Sequence, residues 1–451
     1  MAIRLRKNQQ TRRKTILPNL RSNREKLLQG GGLVLLLLAC LLHLKAAFLA
    51  QLATNSSANA LYFSSELTDP NALARLGRNE FLANGNLPKA LTLYRRSLEN
   101  FVLHLPAWLD MVELYNDRGE KEKAVAALRF VQDVAADNER TAWRKAMLAH
   151  ELDLTDLMAG NLVWLATKFP NKRRQVFALA DQRWTEPEAL MEKFAPALYP
   201  DILEYYISIN DAPKAAATWR RTAEAGTGEE KIALRYINYL LGLEQVPEAA
   251  HIWQGYYRKD GTLLYNSELR EPFLGSGFGW RISRVEGVSW QPAGSGGGLR
   301  IQFDGTANPS FSLMQVIPLA SGRYVLSGTV ASQDLTTDQR PYWTISGYKC
   351  DGLNVNGNMI PPSGPPDTFS LEFAVPEECY AVQVLFRRSA SHYFDNKISG
   401  TVTVTGLELA AGDEQEQVRR AGAEEREDPP APAPKTKAAK GNIGINRMQV
   451  Y

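Results

Sequence analysis

The stretch Ala74–Val131, ARLGRNEFLANGNLPKALTLYRRSLENFVLHLPAWLDMVELYNDRGEKEKAVAALRFV, carries one pattern twice at a spacing of 34 residues. Ala74, Phe81, Gly85, Ala90, Tyr94 and Ser97 are followed by Trp108, Tyr115, Gly119, Ala124, Leu128 and Val131. The glycine stands where a first helix must end and the chain reverse, because Gly takes a left-handed cap without a side-chain clash. The alanine suits the close approach of two helix backbones. The aromatics suit the gaps between successive units. The pattern predicts stacked helical hairpins.

Working outward, Trp143, His150, Ala159, Val163 and Ala166 fit a third unit displaced by one residue, and 171–197 is helical in composition with little of the signature. A second register then appears, with Tyr206, Pro213, Ala215 and Trp219 recurring at Leu240, Pro247, Ala249 and Trp253. At least five hairpins, two of them degenerate, are therefore expected over 61–258, enough for a self-supporting solenoid. This region resembles the tetratricopeptide repeat family, whose unit has that length. The resemblance implies a protein partner held on a face built from the first helix of each hairpin. On that face the candidates are Arg75 and Asn79 in the first repeat and Leu109 and Glu113 in the second. The plain alternative for them is an ordinary solvated helix face. The full basic and Asn set of a carboxylate clamp is absent. Trp108, Trp143, Tyr206, Trp219 and Trp253 read as core between repeats.

After Asp260-Gly261 the pattern changes to short alternating runs: Leu299–Phe303, Ser310–Ile317, Arg323–Val330, Trp343–Tyr348, Thr368–Val375, Ala381–Phe386 and Gly400–Leu409. Strands at this spacing without a sizeable helix predict an all-β sandwich over 262–411. Asn266-Ser267-Glu268-Leu269 with Phe278-Gly279-Trp280 opens this region, and Asp395–Gly400 with the last run closes it. These ends resemble the jelly-roll carbohydrate-binding modules, which implies a glycan ligand. Gly406 stands where such modules often place an acidic residue associated with a structural calcium, so no metal is expected. Sugars take flat aromatic faces and planar hydrogen-bonding groups. Tyr342, Trp343, Tyr348, Arg387 and Arg388 are the candidates for that role. Trp343 and Ile345 share one strand face, so some of these aromatics must instead be core, and at most one of the adjacent arginines can point into a cleft. Cys350 and Cys379 lie in this region either as a disulfide or as two buried thiols.

The N-terminus is a basic segment (1–29) followed by an apolar one (30–53) that reads as a transmembrane signal anchor. Nine Lys and Arg against Glu25 alone give residues 1–26 a net charge of +8, leaving −5 for the rest of the chain. A basic flank predicts a cytoplasmic N-terminus with the remainder translocated. Cleavage after Ala58-Asn59-Ala60 and a lipobox reading of Leu37-Leu38-Ala39-Cys40 are the alternatives. An acidic body is a poor nucleic-acid binder, so no nucleic acid is expected. Residues 412–451, charged and then Pro- and Ala-rich, read as a disordered tail. The five histidines share no metal-ligand spacing, and no nucleophile elbow or phosphate loop occurs. The expectation is a non-catalytic protein without a cofactor, single-pass in a bacterial inner membrane with its bulk in the periplasm. It would bind a protein through the repeats and a polysaccharide through the sandwich, in assembling or exporting surface polysaccharide. The rivals are a scaffold without a glycan ligand and, more remotely, a glycan-processing enzyme with dispersed carboxylates.

Overall fold

The computed structural model of the protein describes residues 31–49, 51, 67–136, 138–257, 262–294 and 296–412. The basic segment, the cleavage pattern and the tail from 413 lie outside them. Two compact units divide the chain, Met1–Thr227 and Gly228–Tyr451.

The first unit opens with helix α1, Gly31–Leu49, long and apolar enough to cross a membrane, with a mean hydropathy of 2.3. Paired helices follow: α2 (Pro70–Leu82) with α3 (Leu87–Asn100), α4 (Leu105–Asp117) with α5 (Lys121–Val134), and α6 (Glu139–Glu151) with α7 (Thr155–Lys168). Next come α8 (Arg173–Arg183) with the short α9 (Pro187–Met191), then α10 (Tyr199–Ser208) with α11 (Ala212–Glu224). Local chemistry starts these helices. The side chains of Asp69, Asn86, Asn138 and Asp211 accept from the backbone of Ala72, Lys89, Thr141 and Lys214 at 2.7–3.2 Å. Proline occupies a first-turn position of α2, α3, α4 and α11, where its missing N–H costs nothing.

The hairpin turns keep the 34-residue period after the signature fades. Gly85 and Gly119 are left-handed, with φ of 63° and 74°, and so is Asp153 at 61°. Asn210 and Glu244, again 34 apart, have φ of 58° and 63°. The third repeat is therefore in strict register, which corrects the displacement by one residue read from its sequence. Ala142, Ala149, Met158, Leu162 and Leu165, each 34 residues beyond its counterpart in the second repeat, are all fully buried. Trp143, His150, Ala159 and Val163 are half-buried beside them. A template that expected large residues at the core positions slid onto the neighbouring Trp and His.

The second unit begins with one more hairpin, α12 (Glu230–Gly242) and α13 (Val246–Tyr257). Ten strands follow: β1 (Arg281–Ile282), β2 (Val288–Pro292), β3 (Leu299–Asp304), β4 (Phe311–Pro318), β5 (Gly322–Gln333), β6 (Tyr342–Gly347), β7 (Asn354–Asn356), β8 (Gly364–Val375), β9 (Ala381–Arg388) and β10 (Ser399–Ala411). They form two five-stranded antiparallel sheets, ordered β1-β4-β9-β6-β7 and β2-β3-β10-β5-β8. From β3 to β6, and again from β8 to β10, successive strands alternate between the sheets, which is jelly-roll connectivity. Alternate residues of both sheets meet in one core around Trp280, Phe303, Phe311, Trp343, Phe373 and Phe386. All seven runs expected as strands are strands; β1 and β7 were too short to show alternation, and β2, half-buried only at Val288 and exposed from Ser289 to Pro292, has no alternating burial. Gly406, with φ of 57°, sits at the register shift of β10 between Thr405 and Glu408. It serves a bulge.

The two parts of the opening motif, Asn266–Leu269 and Phe278–Trp280, are joined physically. Asn266 accepts from the backbone of Arg270 and Glu271 and donates to Glu271 O, while its own carbonyl accepts from Trp280 Nε1 at 3.2 Å. Cys350 and Cys379 are bridged, with Cα atoms 5.5 Å apart.

The α12–α13 hairpin packs on the sandwich. Trp253, read from sequence as core between repeats, instead meets Phe278 and Tyr265 edge-on at 5.6 and 5.2 Å. Gly277 allows the approach, since a Cβ there would stand 2.8–2.9 Å from Leu234 and Trp253, and its N–H donates to Asn238 Oδ1 at 2.8 Å.

Candidate functional site

On β4, β9 and β6 the residues alternating with the core point away from it. Register places Ser312, Arg387 and Tyr342 in one row across these strands. Met314, Leu385, Thr344 and Asn356 form the next row, and Val316, Gln383, Ser346 and Asn354 the third. The Arg387 guanidinium lies 5.9 Å from the centre of the Tyr342 ring. Thr344 donates to Asn356 Oδ1 at 2.9 Å, which aligns the amide beyond it. The face thus offers one aromatic ring, one guanidinium and three carboxamides, all half-buried or exposed. The outward face of the other sheet carries Ser, Thr, Gln, charged and small aliphatic side chains with no aromatic ring among the described residues. A pyranose needs both an apolar platform and planar hydrogen-bonding partners. Only the first sheet supplies both.

Of the five sandwich candidates, Tyr342 and Arg387 come together on this face. The others do not. Trp343 is 2% exposed and packs between Phe369 and Phe386 at 5.2 and 5.0 Å, so its faces are closed to a sugar. Arg388 is 1% exposed. It donates to Gln339 O at 2.9 Å, Asn308 Oδ1 at 2.9 Å, Asn396 O at 3.2 Å and Pro309 O. Four of its five N–H donors tie three loops to the end of β9. Burial lowers its pKa, with Asp338 opposing. The Tyr348 hydroxyl faces the last hairpin, 3.4 Å from Leu241 O. Sequence reading missed Gln383, Asn354 and Asn356. The signal for Gln383 was present in β9, where Gln383 and Arg387 interrupt an apolar alternation. Asn354 and Asn356 lie on a three-residue strand that shows no period.

A concavity of about 530 Å³ lies between α13 and the segment leading into the sandwich. Trp253, Tyr256, Tyr257, Tyr265, Glu230 and Glu271 line it. The Tyr265 hydroxyl donates to Glu271 at 3.0 Å; burial and that carboxylate push its pKa up to about 12. Gln315 at its edge donates to two backbone carbonyls, while its Oε1 is buried without a partner among the described residues.

In the repeats, a charged network crosses the first helices of three successive hairpins. Arg78 on α2 reaches Asp110 at 2.6 Å and Glu113 at 3.4 Å on α4; Arg144 on α6 reaches the same two at 2.8 and 2.6 Å. Burial raises the Asp110 pKa, against the two arginines. Burial and Asp110 also raise that of Tyr94, packed behind. Arg75 and Asn79 are exposed, as both a groove and an ordinary solvated helix face require, whereas Glu113 is engaged in the network. Leu109 is 2% exposed and belongs to the core, a correction to its place on the binding face. Among the described residues no group of three or more His, Cys, Asp or Glu could hold a metal.

No protein-family model and no curated protein matches the chain. Solved structures similar to the helical part include PilF of Pseudomonas aeruginosa, 17% identical over 42% of this chain and 93% of that one, TM-score 0.25. Another is YrrB, a TPR protein with an unusual peptide-binding site, 15% identical over 40% and 97%, TM-score 0.24. The β part is similar to the carbohydrate-binding module CBM4, 15% identical over 33% of this chain and 99% of that one, TM-score 0.24. The architecture itself, a tetratricopeptide-like helical array followed by a jelly-roll sandwich, stands on the turns, registers and strand order described above.

Proposed function

We propose that this protein is a non-catalytic, membrane-anchored scaffold of a bacterial cell envelope whose sandwich binds glycan and whose repeats bind a protein partner. The observation that carries the reading is the outward face of β4, β9, β6 and β7, where Tyr342, Arg387, Gln383, Asn354 and Asn356 combine an aromatic platform with planar hydrogen-bonding groups. The Cys350–Cys379 bridge supports an oxidising compartment for this unit, and α1 supports attachment to the membrane. The exposed Arg75 and Asn79, beside the network that stiffens the first helices, support a peptide site on the array. Two weak contacts on one chain gain avidity from their tethering. That suits assembling or exporting a surface polysaccharide.

The test is retention of the full chain, in lipid nanodiscs, on a panel of bacterial and plant polysaccharides, followed by calorimetry on the binder. Tyr342→Ala and Gln383→Ala should each weaken binding about tenfold, a loss of about 1.4 kcal/mol, without changing the melting temperature. Absence of binding across the panel from a folded sample refutes the glycan reading and leaves a protein scaffold. Cleavage of a glycan by the pure protein refutes the non-catalytic one.

A further inference from the structure

The apolar helix α1 ends on the first hairpin. Leu49, in its last turn, is 6% exposed in a cluster with Leu67, Ala72, Leu73, Leu76 and Leu93. The same end of that hairpin is tied together by polar bonds. Arg96 donates to Leu67 O at 2.9 Å, Ser97 donates to Pro70 O at 2.8 Å, and His104 Nε2 lies 3.1 Å from Asn71 Oδ1. The turn between α3 and α4 therefore sits beside the point where α1 meets the array.

That turn is apolar and exposed. Phe101, Val102 and Leu103 are 50%, 60% and 46% exposed, and Val134, at the end of α5, is 41% exposed. The turn is also rigidly built: Phe101 N–H donates to Ser97 O, His104 N–H to Phe101 O, and Trp108 Nε1 to Val102 O at 2.7 Å. Turns at the opposite ends of the same hairpins read Asn84-Gly85-Asn86 and Arg118-Gly119-Glu120. In these two hairpins the turn on the edge beside α1 is thus apolar over three consecutive residues, while at the far edge the turns are polar and Leu82, 61% exposed, is a single apolar residue beside them.

We propose that Phe101, Val102 and Leu103 insert into the bilayer interface and seat the first repeats on the membrane. The occupant is lipid because the chain's own apolar helix brings the bilayer to this edge. A second apolar contact also converts a single tether into a fixed posture, as interfacial anchors do when they add to a first one. The inference rests on α1 crossing the membrane. Seated this way, the face bearing Arg75 and Asn79 would be held at a set height above the lipid.

Spin labels report the depth directly. In a Cys40→Ser background, with the full chain in nanodiscs of phosphatidylethanolamine and phosphatidylglycerol, single labels are placed at Leu41→Cys, Val102→Cys and Asn84→Cys. Collision with oxygen, which concentrates in lipid, is compared with collision with a water-soluble nickel chelate. The ratio at Val102 should exceed that at Asn84 at least threefold, toward the value at Leu41. A Val102 ratio equal to that of Asn84, with Leu41 in lipid, overturns the seating while leaving the anchor intact. A Leu41 label that reads water overturns both.

Discussion

Replacing Arg388 by methionine should loosen the end of the sandwich, while the same change at the adjacent Arg387 should leave the fold intact and remove ligand affinity. Arg388 supplies donors to four acceptors from three loops: Pro309 O, Asn308 Oδ1, Gln339 O and Asn396 O. At a net value of about 1 kcal/mol per bond, and with buried carbonyls left unpaired, the loss is about 3–5 kcal/mol. In a unit of about 200 residues each kcal/mol moves the melting temperature by about 2–4 °C, so a fall of about 6–20 °C is expected. Arg387 is half-buried, and its main contact is the Tyr342 ring. That contact is worth about 0.5–1 kcal/mol, or a shift of at most about 4 °C. Circular dichroism melts with parallel glycan retention separate the two variants. Equal destabilisation by both would refute the reasoning, as would loss of binding by Arg388→Met with an unchanged melt.

The sandwich cut as 262–411 should be less stable than the same domain cut as 228–411, because Phe278, now 1% exposed, would lose Trp253 and Gly277 would lose Asn238. Uncovering a Phe of that kind costs about 1.5–3 kcal/mol; melting and dye binding check it, and identical melts for the two fragments would contradict the packing described. His104 predicts a pH dependence in the first unit. Burial holds its imidazole below the usual range, against Asp69 and Asp110, while its ring nitrogens meet Ser97 and Asn71 at 3.1 Å. A cationic group with a lowered folded-state pKa contributes stability that is full above the unfolded value, near 6.5, and is lost as pH falls below it. Denaturant melts at pH 7.5 and 5.5 should show that loss, and His104→Asn should flatten it; a slope unchanged by the substitution would count against a buried neutral imidazole.

Much of this architecture was legible because it is written in local terms. A glycine where the chain reverses, a proline in a first helical turn and a two-residue alternation act through nearest neighbours, and each predicted an element that formed. The third repeat was misplaced by one residue for a physical reason. Its core positions hold Ala142 and Ala149, and its turn holds Asp153 in a left-handed conformation, so tertiary stacking maintained a register that side-chain size no longer marked.

The sequence by itself determined an apolar N-terminal helix, a helical array and a two-sheet domain, since periodicity and turn chemistry are properties of short segments. It could not distinguish Arg387 from Arg388 or Trp343 from Tyr342 as ligand-facing groups. That choice depends on which face of a strand meets the other sheet and on three loops converging at one guanidinium. Nor could it assign the last hairpin to the sandwich. Trp253 recurs 34 residues after Trp219, yet its partners are Phe278 and Tyr265, brought to it by a left-handed Gly277 whose missing side chain opens the contact. Repetition in sequence records what each hairpin is; long-range packing decides what each hairpin covers.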